Sequence, residues 1–130
     1  MAKLVPKKRI LQEDFVLTVG RVAAAAADHK AKDLKAYDVR SLTVIADAFV
    51  VCTATSEPQM KAIFNAVRRE MKTSIKQNRH MAAEPSASWL VLDLNDVIFH
   101  VFRQEARAFY DLDGLWADAL EIELSEFTGE

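Results

Sequence analysis

The side chains with catalytic potential are few in this sequence, and none of them belongs to a recognisable catalytic set. The three histidines, His29, His80 and His100, are too far apart to share one turn of a helix, and Cys52 is the only cysteine. This spacing does not predict a zinc site, because zinc ligands usually recur in closely spaced pairs. Cys52 lies in an apolar stretch, where a thiol is typically a small, unreactive hydrophobic group.

Two pairs of aspartates are the remaining candidates for chemistry, Asp93 with Asp96 and Asp111 with Asp113. Neighbouring carboxylates can hold Mg²⁺ for nucleotidyl transfer. Aspartates are also common in turns and at helix caps, however. The three glycines lie far apart, so no glycine-rich phosphate loop is present. We therefore expect a binding protein without a cofactor, with a metal-dependent nucleotidyltransferase as the enzymatic alternative.

Length and composition predict one folded domain. The chain has 130 residues, of which 51% are hydrophobic and 28% charged, and its net charge is −2. A disordered chain would be less apolar, and a protein that wraps nucleic acid over a broad face would be strongly basic. The lone cysteine allows no internal disulfide, and no apolar run reaches the ~18 residues of a membrane span. We expect a cytoplasmic protein that binds neither membrane nor DNA.

The first half of the chain predicts two strands between two helices. Apolar residues recur at helical spacing from about residue 14 to 30. Residues 34–39 and 44–53 read as strands, and the continuous apolar run in the second predicts a central strand covered on both faces. A second helix is predicted from the N-cap Ser56, with Gln59 as its capping-box partner and an apolar stripe running to Ile75. This stripe is expected to pack on the protein's own sheet, with a partner-binding groove as the alternative.

The second half predicts a β-hairpin followed by a short helix. Two apolar runs between residues 88 and 102 are joined by Asn95 and Asp96, which favour a tight turn. A weak strand is predicted near residues 78–82, and a helix over residues 103–110. Mixed helix–strand and hairpin connections predict a single layered α/β domain with a mixed sheet flanked by helices. His100, inside a strand, is expected to be a hydrogen-bonded core residue, with a catalytic role as the alternative.

Three blocks of the sequence resemble the ribosomal silencing factor family, also called Iojap-like. They are AADHKAKDLKAYDVRSLTVIADAFVVCTATS from Ala26, SWLVLDLNDVIFHVF from Ser88 and EARAFYDLDGLW from Glu105. The family's patterns recur in order over about residues 14–119. Ala48, Ala54 and Asn95 depart from the usual family residues. The ordered set is specific, although no single block is decisive.

The resemblance implies a nucleotidyltransferase-like topology without an active site. It also implies a translational repressor that binds the large ribosomal subunit through ribosomal protein L-fourteen and sterically blocks joining of the small subunit when nutrients are limiting. A role in large-subunit assembly is the alternative. The partner-binding residues that the resemblance implies are Trp89, Asp93, Asp96, His100, Arg107, Tyr110, Leu115 and Trp116.

The two ends of the chain differ in charge and are expected to lie outside the domain. Residues 1–12 are predicted to form a basic tail, 13–119 the domain, and 120–130 an acidic tail. Four apolar residues in the acidic tail could form a homodimer contact or fold back on the domain: Leu120, Ile122, Leu124 and Phe127.

Overall fold

A computed structural model describes residues 14–72, 80–82 and 88–129 of the chain. In chain order the elements are α1 (Asp14–Asp28), β1 (Lys32–Asp38), β2 (Ala48–Ala54), α2 (Glu57–Glu70), β3 (His80–Ala82), β4 (Trp89–Asp93), β5 (Val97–Arg103), α3 (Gln104–Tyr110), α4 (Leu112–Leu115), β6 (Leu120–Glu121) and α5 (Ser125–Thr128). The predicted basic tail and the helical stripe beyond Lys72 lie outside the described residues. None of the helices in these ranges combines the length and the apolar character that a bilayer span needs.

The strands of the described segments form one mixed sheet in the order β3-β4-β5-β2-β1-β6. Strands β2 and β5 run parallel, from Ala48 opposite Val97 to Ala54 opposite Arg103, and the other neighbouring strands are antiparallel. The β4–β5 hairpin turns where predicted, and Asn95 adopts a φ of 78°, which asparagine tolerates better than most residues. The predicted single α/β domain with a mixed sheet is confirmed.

Helices α1 and α2 cover one face of the sheet. They run antiparallel, because Arg21 pairs with Glu70 near the end of α2 while Gln59 near its start donates to the carbonyl of Lys30, just after α1. Their apolar stripes pack on alternate residues of β2 and β5, including Val50 and Phe99. Complete burial of one such phenylalanine contributes about 1.5–3 kcal/mol. The stripe of α2 therefore packs on the protein's own sheet.

The start of α2 confirms its predicted cap but changes the role of Gln59. Ser56 Oγ accepts a hydrogen bond from the Gln59 backbone N–H at 3.1 Å. The Gln59 side chain does not return to Ser56. Its oxygen accepts from the Thr55 N–H at 2.7 Å, and its amide group donates to the carbonyls of His29 and Lys30. Gln59 thus ties the end of α1 to the start of α2.

The predicted strand over residues 44–53 begins four residues late. The backbone N–H groups of Asp47 and Ala48 both donate to the carbonyl of Asp96, and this contact starts the β2–β5 ladder. Val44 and Ile45 precede it in a loop and are exposed. Strand propensity alone could not place this boundary, since β-branched residues favour strands only where the sheet offers a partner.

The C-terminal segment folds back on the domain, one of the two alternatives for its apolar residues. β6 pairs with β1, with Leu120 opposite Asp38. Ile122, Leu124 and Phe127 pack against the core beneath α1 and α2. Phe127 reaches α1 so closely that a Cβ on Gly20 would lie 2.5 Å from its Cδ1. Glycine at position 20 therefore permits this close approach.

Candidate partner-binding surface

The second face of the sheet carries a cluster of aromatic side chains. Residues of β2 and β5 that point away from α1 and α2 meet α3 and α4 here, and we call this side the α3 face. The aromatic cluster on it consists of Phe49, Trp89, His100, Phe102, Tyr110 and Trp116. Trp89 occupies its centre, with ring centroids 4.8 Å from Phe102, 4.7 Å from Tyr110 and 5.9 Å from His100. Such ring pairs add specific packing energy to the burial of apolar area.

His100 is an internal member of the aromatic cluster. Its side chain is buried, and the indole N–H of Trp89 donates to its Nδ1 at 3.1 Å. Burial lowers the pKa of His100 to about 3, so the imidazole is neutral near pH 7. A neutral ring that accepts at Nδ1 carries its proton on Nε2. Nε2 of His100 and Nε1 of Trp116 are both buried without a hydrogen-bond partner in the described structure.

Arg107 anchors α3 and α4 to the sheet. Its guanidinium group makes two bonds to the Asp113 carboxylate, at 3.0 and 2.9 Å, and further bonds to Thr53 Oγ1 and the carbonyl of Asp33. Tyr37 also donates to Asp113, at 2.6 Å. Partial burial acts to raise the pKa of Asp113, but the hydrogen bonds from Arg107 and Tyr37 hold it below its usual value. The arginine side chain is only 13% exposed. This geometry gives Arg107 a positioning role in the fold.

Three of the residues implied by the resemblance present apolar or aromatic surface on the α3 face. Tyr110 is 43% and Leu115 68% exposed, while Trp89 is half-buried beside Tyr110. Trp116 is partly buried and meets the Phe49 ring edge-on at 5.0 Å. Trp89 comes from β4 and Tyr110 from α3, so the fold brings these two rings together although they are distant in the chain.

The two implied aspartates lie at the β4–β5 turn. One Asp93 carboxylate oxygen accepts from the Asn95 N–H at 2.8 Å and supports the turn. Asp96 is exposed, and its carbonyl holds the start of β2. Both residues therefore contribute to the turn's geometry. They lie at the opposite end of β5 from Phe102, whose ring stacks on Trp89.

Phe109 is an exposed residue that sequence reasoning missed. It is 80% exposed beside Tyr110, with which it makes an edge-on contact at 5.1 Å. Phe109 and Tyr110 border a shallow depression of about 540 Å³ that also contacts Ser88 and Arg103. No local pattern distinguishes this residue, because adjacent residues of one helix can both lie on its buried side, as Ile63 and Phe64 of α2 do.

The aspartates and Cys52 that were candidates for chemistry have structural surroundings in the described part of the chain. No group of three or more His, Cys, Asp or Glu side chains within it is placed to hold a metal ion. Asp111 instead caps α4 by accepting from the Gly114 N–H, and Asp113 is bound to Arg107. Burial raises the pKa of the Cys52 thiol to about 12, which leaves little thiolate to react near pH 7.

Comparison with known proteins identifies the family. Residues 12–130 match the family model described as "Ribosomal silencing factor during starvation". A ribosomal silencing factor of Bacillus subtilis is 36% identical over 100 residues, which cover 76% of this chain and 85% of that protein. The chloroplastic Iojap protein of Arabidopsis thaliana is 34% identical over 103 residues, covering 79% of this chain and 43% of that one.

Solved structures from two bacteria share the fold. A protein of Chromobacterium violaceum superposes with a TM-score of 0.71 at 28% identity, over 81% of this chain and 88% of that chain. A protein of Bacillus halodurans gives a TM-score of 0.69 at 31% identity, over 82% and 96%. The expected resemblance is confirmed, and the chain belongs to the ribosomal silencing factor family.

Proposed function

We propose that this protein is a translational repressor that binds the large ribosomal subunit through ribosomal protein L-fourteen. Bound there, it sterically blocks joining of the small subunit when nutrients are limiting. The observation that carries the proposal is the exposed surface of α3, where Phe109 and Tyr110 project beside Trp89, together with the exposed Leu115 of α4. Contiguous exposed aromatic and apolar side chains are typical of protein interfaces.

The charge around this surface favours a basic partner. From Gln104 to Asp118 the chain carries four acidic residues, and Arg107 is its sole base. Because the Arg107 guanidinium is bound to Asp113, the surface offers net negative charge. Such a surface steers a positively charged protein towards it and disfavours contact with RNA phosphates. A basic ribosomal protein fits this chemistry.

Within the proposed interface, the implied residues divide into contacting and positioning groups. Trp89, Tyr110 and Leu115 supply the contact area, and Asp93 and Asp96 supply acidic groups at the turn, at the other end of the β4–β5 hairpin from Trp89. The positioning group consists of His100, Arg107 and Trp116. His100 orients the Trp89 indole, and Arg107 holds α3 and α4 on the sheet. Aromatic anchors at the centre of an interface commonly carry most of the binding energy.

Repression by steric exclusion requires no catalysis, cofactor or membrane contact from this chain. We propose that the protein acts in the cytoplasm and is not an enzyme. The Bacillus subtilis relative named above as a ribosomal silencing factor supports this assignment. A nucleotidyltransferase would need clustered carboxylates, and in the described segments the Asp113 carboxylate is bound to Arg107 while Asp111 caps a helix.

Cosedimentation with isolated large subunits tests the interface. Leu115→Asp removes apolar contact at a residue that is 68% exposed, and Leu17→Asp is a matched control at 56% exposure on α1. We expect the Leu115 variant to lose binding and the Leu17 variant to retain it. Trp89→Ala should also lose binding, with circular dichroism to confirm that it folds.

The same proteins are then tested against purified L-fourteen protein and in a subunit-joining assay on sucrose gradients. The proposal requires the wild type to bind L-fourteen and to reduce joining, and the Leu115 variant to do neither. Equal binding by the Leu115 and Leu17 variants would remove this surface from the interface. Binding to large subunits without binding to isolated L-fourteen would replace the proposed partner.

A further inference from the structure

The outward face of α2 carries a basic stripe on the other side of the sheet from the aromatic cluster. Four exposed side chains form it, and we call them the α2 stripe: Lys61, Arg68, Arg69 and Lys72. At about 100° of rotation per residue, Lys61 and Arg68 lie within roughly 20° of each other around the α2 axis. From Lys61 to Arg69 the stripe spans about 12 Å along that axis, and Lys72 follows two residues after the helix ends.

Most of the charge on this stripe is not neutralised by neighbours. Both acidic residues of α2 have partners, because Glu57 pairs with Lys61 at 3.2 Å and Glu70 pairs with Arg21 at 3.1 Å. Within the described ranges, Arg68, Arg69 and Lys72 make no ion pair. The exposed Glu57–Lys61 pair is of the kind that contributes little energy, so Lys61 can also exchange partners.

The position of the stripe separates it from the proposed L-fourteen surface. α2 packs on the sheet face opposite the α3 face. The α2 end that bears Arg68 lies beside the middle of α1, as the Arg21–Glu70 contact shows. The molecule therefore presents an acidic, aromatic side and a basic side to two different neighbours.

We infer that the α2 stripe binds the phosphate backbone of RNA without reading its sequence. Arginine side chains match phosphate oxygens in bidentate geometry, and a row of exposed bases can follow a phosphate chain. The inference rests on the proposed function, since a protein seated on the large subunit by its acidic side has ribosomal RNA as its main polyanionic neighbour. The stripe supplies a second contact, independent of L-fourteen.

RNA fits the stripe better than a membrane does. Helices that bind bilayers insert an apolar face next to their basic residues. The apolar face of α2, which includes Ile63, Phe64 and Val67, is buried against the sheet instead. Between Lys61 and Arg68 the outward face offers Asn65, a polar residue. These side chains offer a ligand charge and hydrogen bonding.

Fluorescence anisotropy with a labelled twelve-nucleotide oligouridine tests the inference on the full chain. Phosphate contacts from Arg68, Arg69 and Lys72 on a single strand predict a log–log salt slope of about −2, so affinity should fall about 20-fold from roughly 50 to 200 mM salt. Arg68→Gln/Arg69→Gln should reduce that slope by about 1.4. Lys30→Gln/Lys32→Gln is the matched control, because it removes the same charge from exposed residues beyond the other end of α1.

The inference holds if the arginine variant alone loses RNA affinity while its binding to purified L-fourteen is unchanged. Equal losses in both variants would reduce the effect to net charge and overturn it. Absence of oligouridine binding by the wild type at low salt would also overturn it, even if L-fourteen binding persists. Binding of the stripe to phosphatidylglycerol vesicles, but not to RNA, would assign the surface to a membrane instead. If the wild type does not bind purified L-fourteen, that result counts against the proposed function and not against RNA binding by the α2 stripe.

Discussion

Acidification from pH 7 to pH 5 should destabilise this protein through the buried imidazole of His100. The imidazole is buried among aromatic rings and accepts the Trp89 N–H, and burial lowers its pKa from the ordinary 6.5 to about 3. The unfolded chain therefore binds a proton over a pH range in which the folded chain does not. Stability is lost as the pH falls below about 6.5, because protonation then favours the unfolded state.

The size of the effect follows from the two pKa values. With 6.5 in the unfolded state and about 3 in the folded state, the unfolding free energy should fall by about 2 kcal/mol between pH 7 and pH 5. Ordinary carboxylates titrate mainly below this window, so His100 should dominate the change among the described residues. Against a total stability of about 5–15 kcal/mol, the loss is easily measured.

Urea unfolding at the two pH values, followed by circular dichroism, measures the change. His100→Asn is the control, since its amide oxygen can still accept the Trp89 N–H but does not titrate. This variant should be less stable than the wild type at pH 7 and should lose much less stability on acidification. A wild-type protein with the same unfolding free energy at pH 7 and pH 5 would refute the buried, neutral histidine. So would a His100→Asn variant with an undiminished pH response.

Three substitutions test other contacts, each by urea unfolding. Arg107→Met leaves the partly buried Asp113 without its cation and should cost about 2–4 kcal/mol; a loss below about 0.5 kcal/mol would contradict the anchoring role. Gly20→Ala places a methyl group against Phe127 and should lower the unfolding free energy by about 1–3 kcal/mol. If the clash causes this loss, the loss should be smaller when Gly20→Ala is made together with Phe127→Ala. Asn95→Ala puts alanine at a φ of 78° and should lower the unfolding free energy by about 1–2 kcal/mol. An unchanged urea midpoint would show that the turn changes conformation to accommodate alanine.

Local signals in the sequence determined most of the elements. The Ser56 cap, the apolar stripe of α2 and the Asn95 turn each depend on residues within a few positions of one another, and all three are present in the structure. The ordered blocks that resemble the silencing factors are equally local. They were sufficient to indicate the family, which the comparisons confirm.

Sequence analysis could not predict element boundaries and hydrogen bonds that depend on partners distant in the chain. The start of β2 is set by the carbonyl of Asp96, which lies in another hairpin. Gln59 bonds to carbonyls about 30 residues away instead of completing a capping box. Side-chain hydrogen bonds follow the available geometry, and that geometry exists only after the helices have packed.

The grouping of residues on the α3 face was decided by the tertiary structure. Because β2 lies between β5 and β1, α3 can cross the sheet and bring Arg107 to Thr53, 54 positions away, while Tyr37 reaches Asp113 across 76 positions. The sequence by itself determined which residues are aromatic, acidic or basic. Only the packing of helices on opposite faces decided that the acidic, aromatic residues lie on one side and the α2 stripe on the other, since side-chain direction depends on which face of each element is buried.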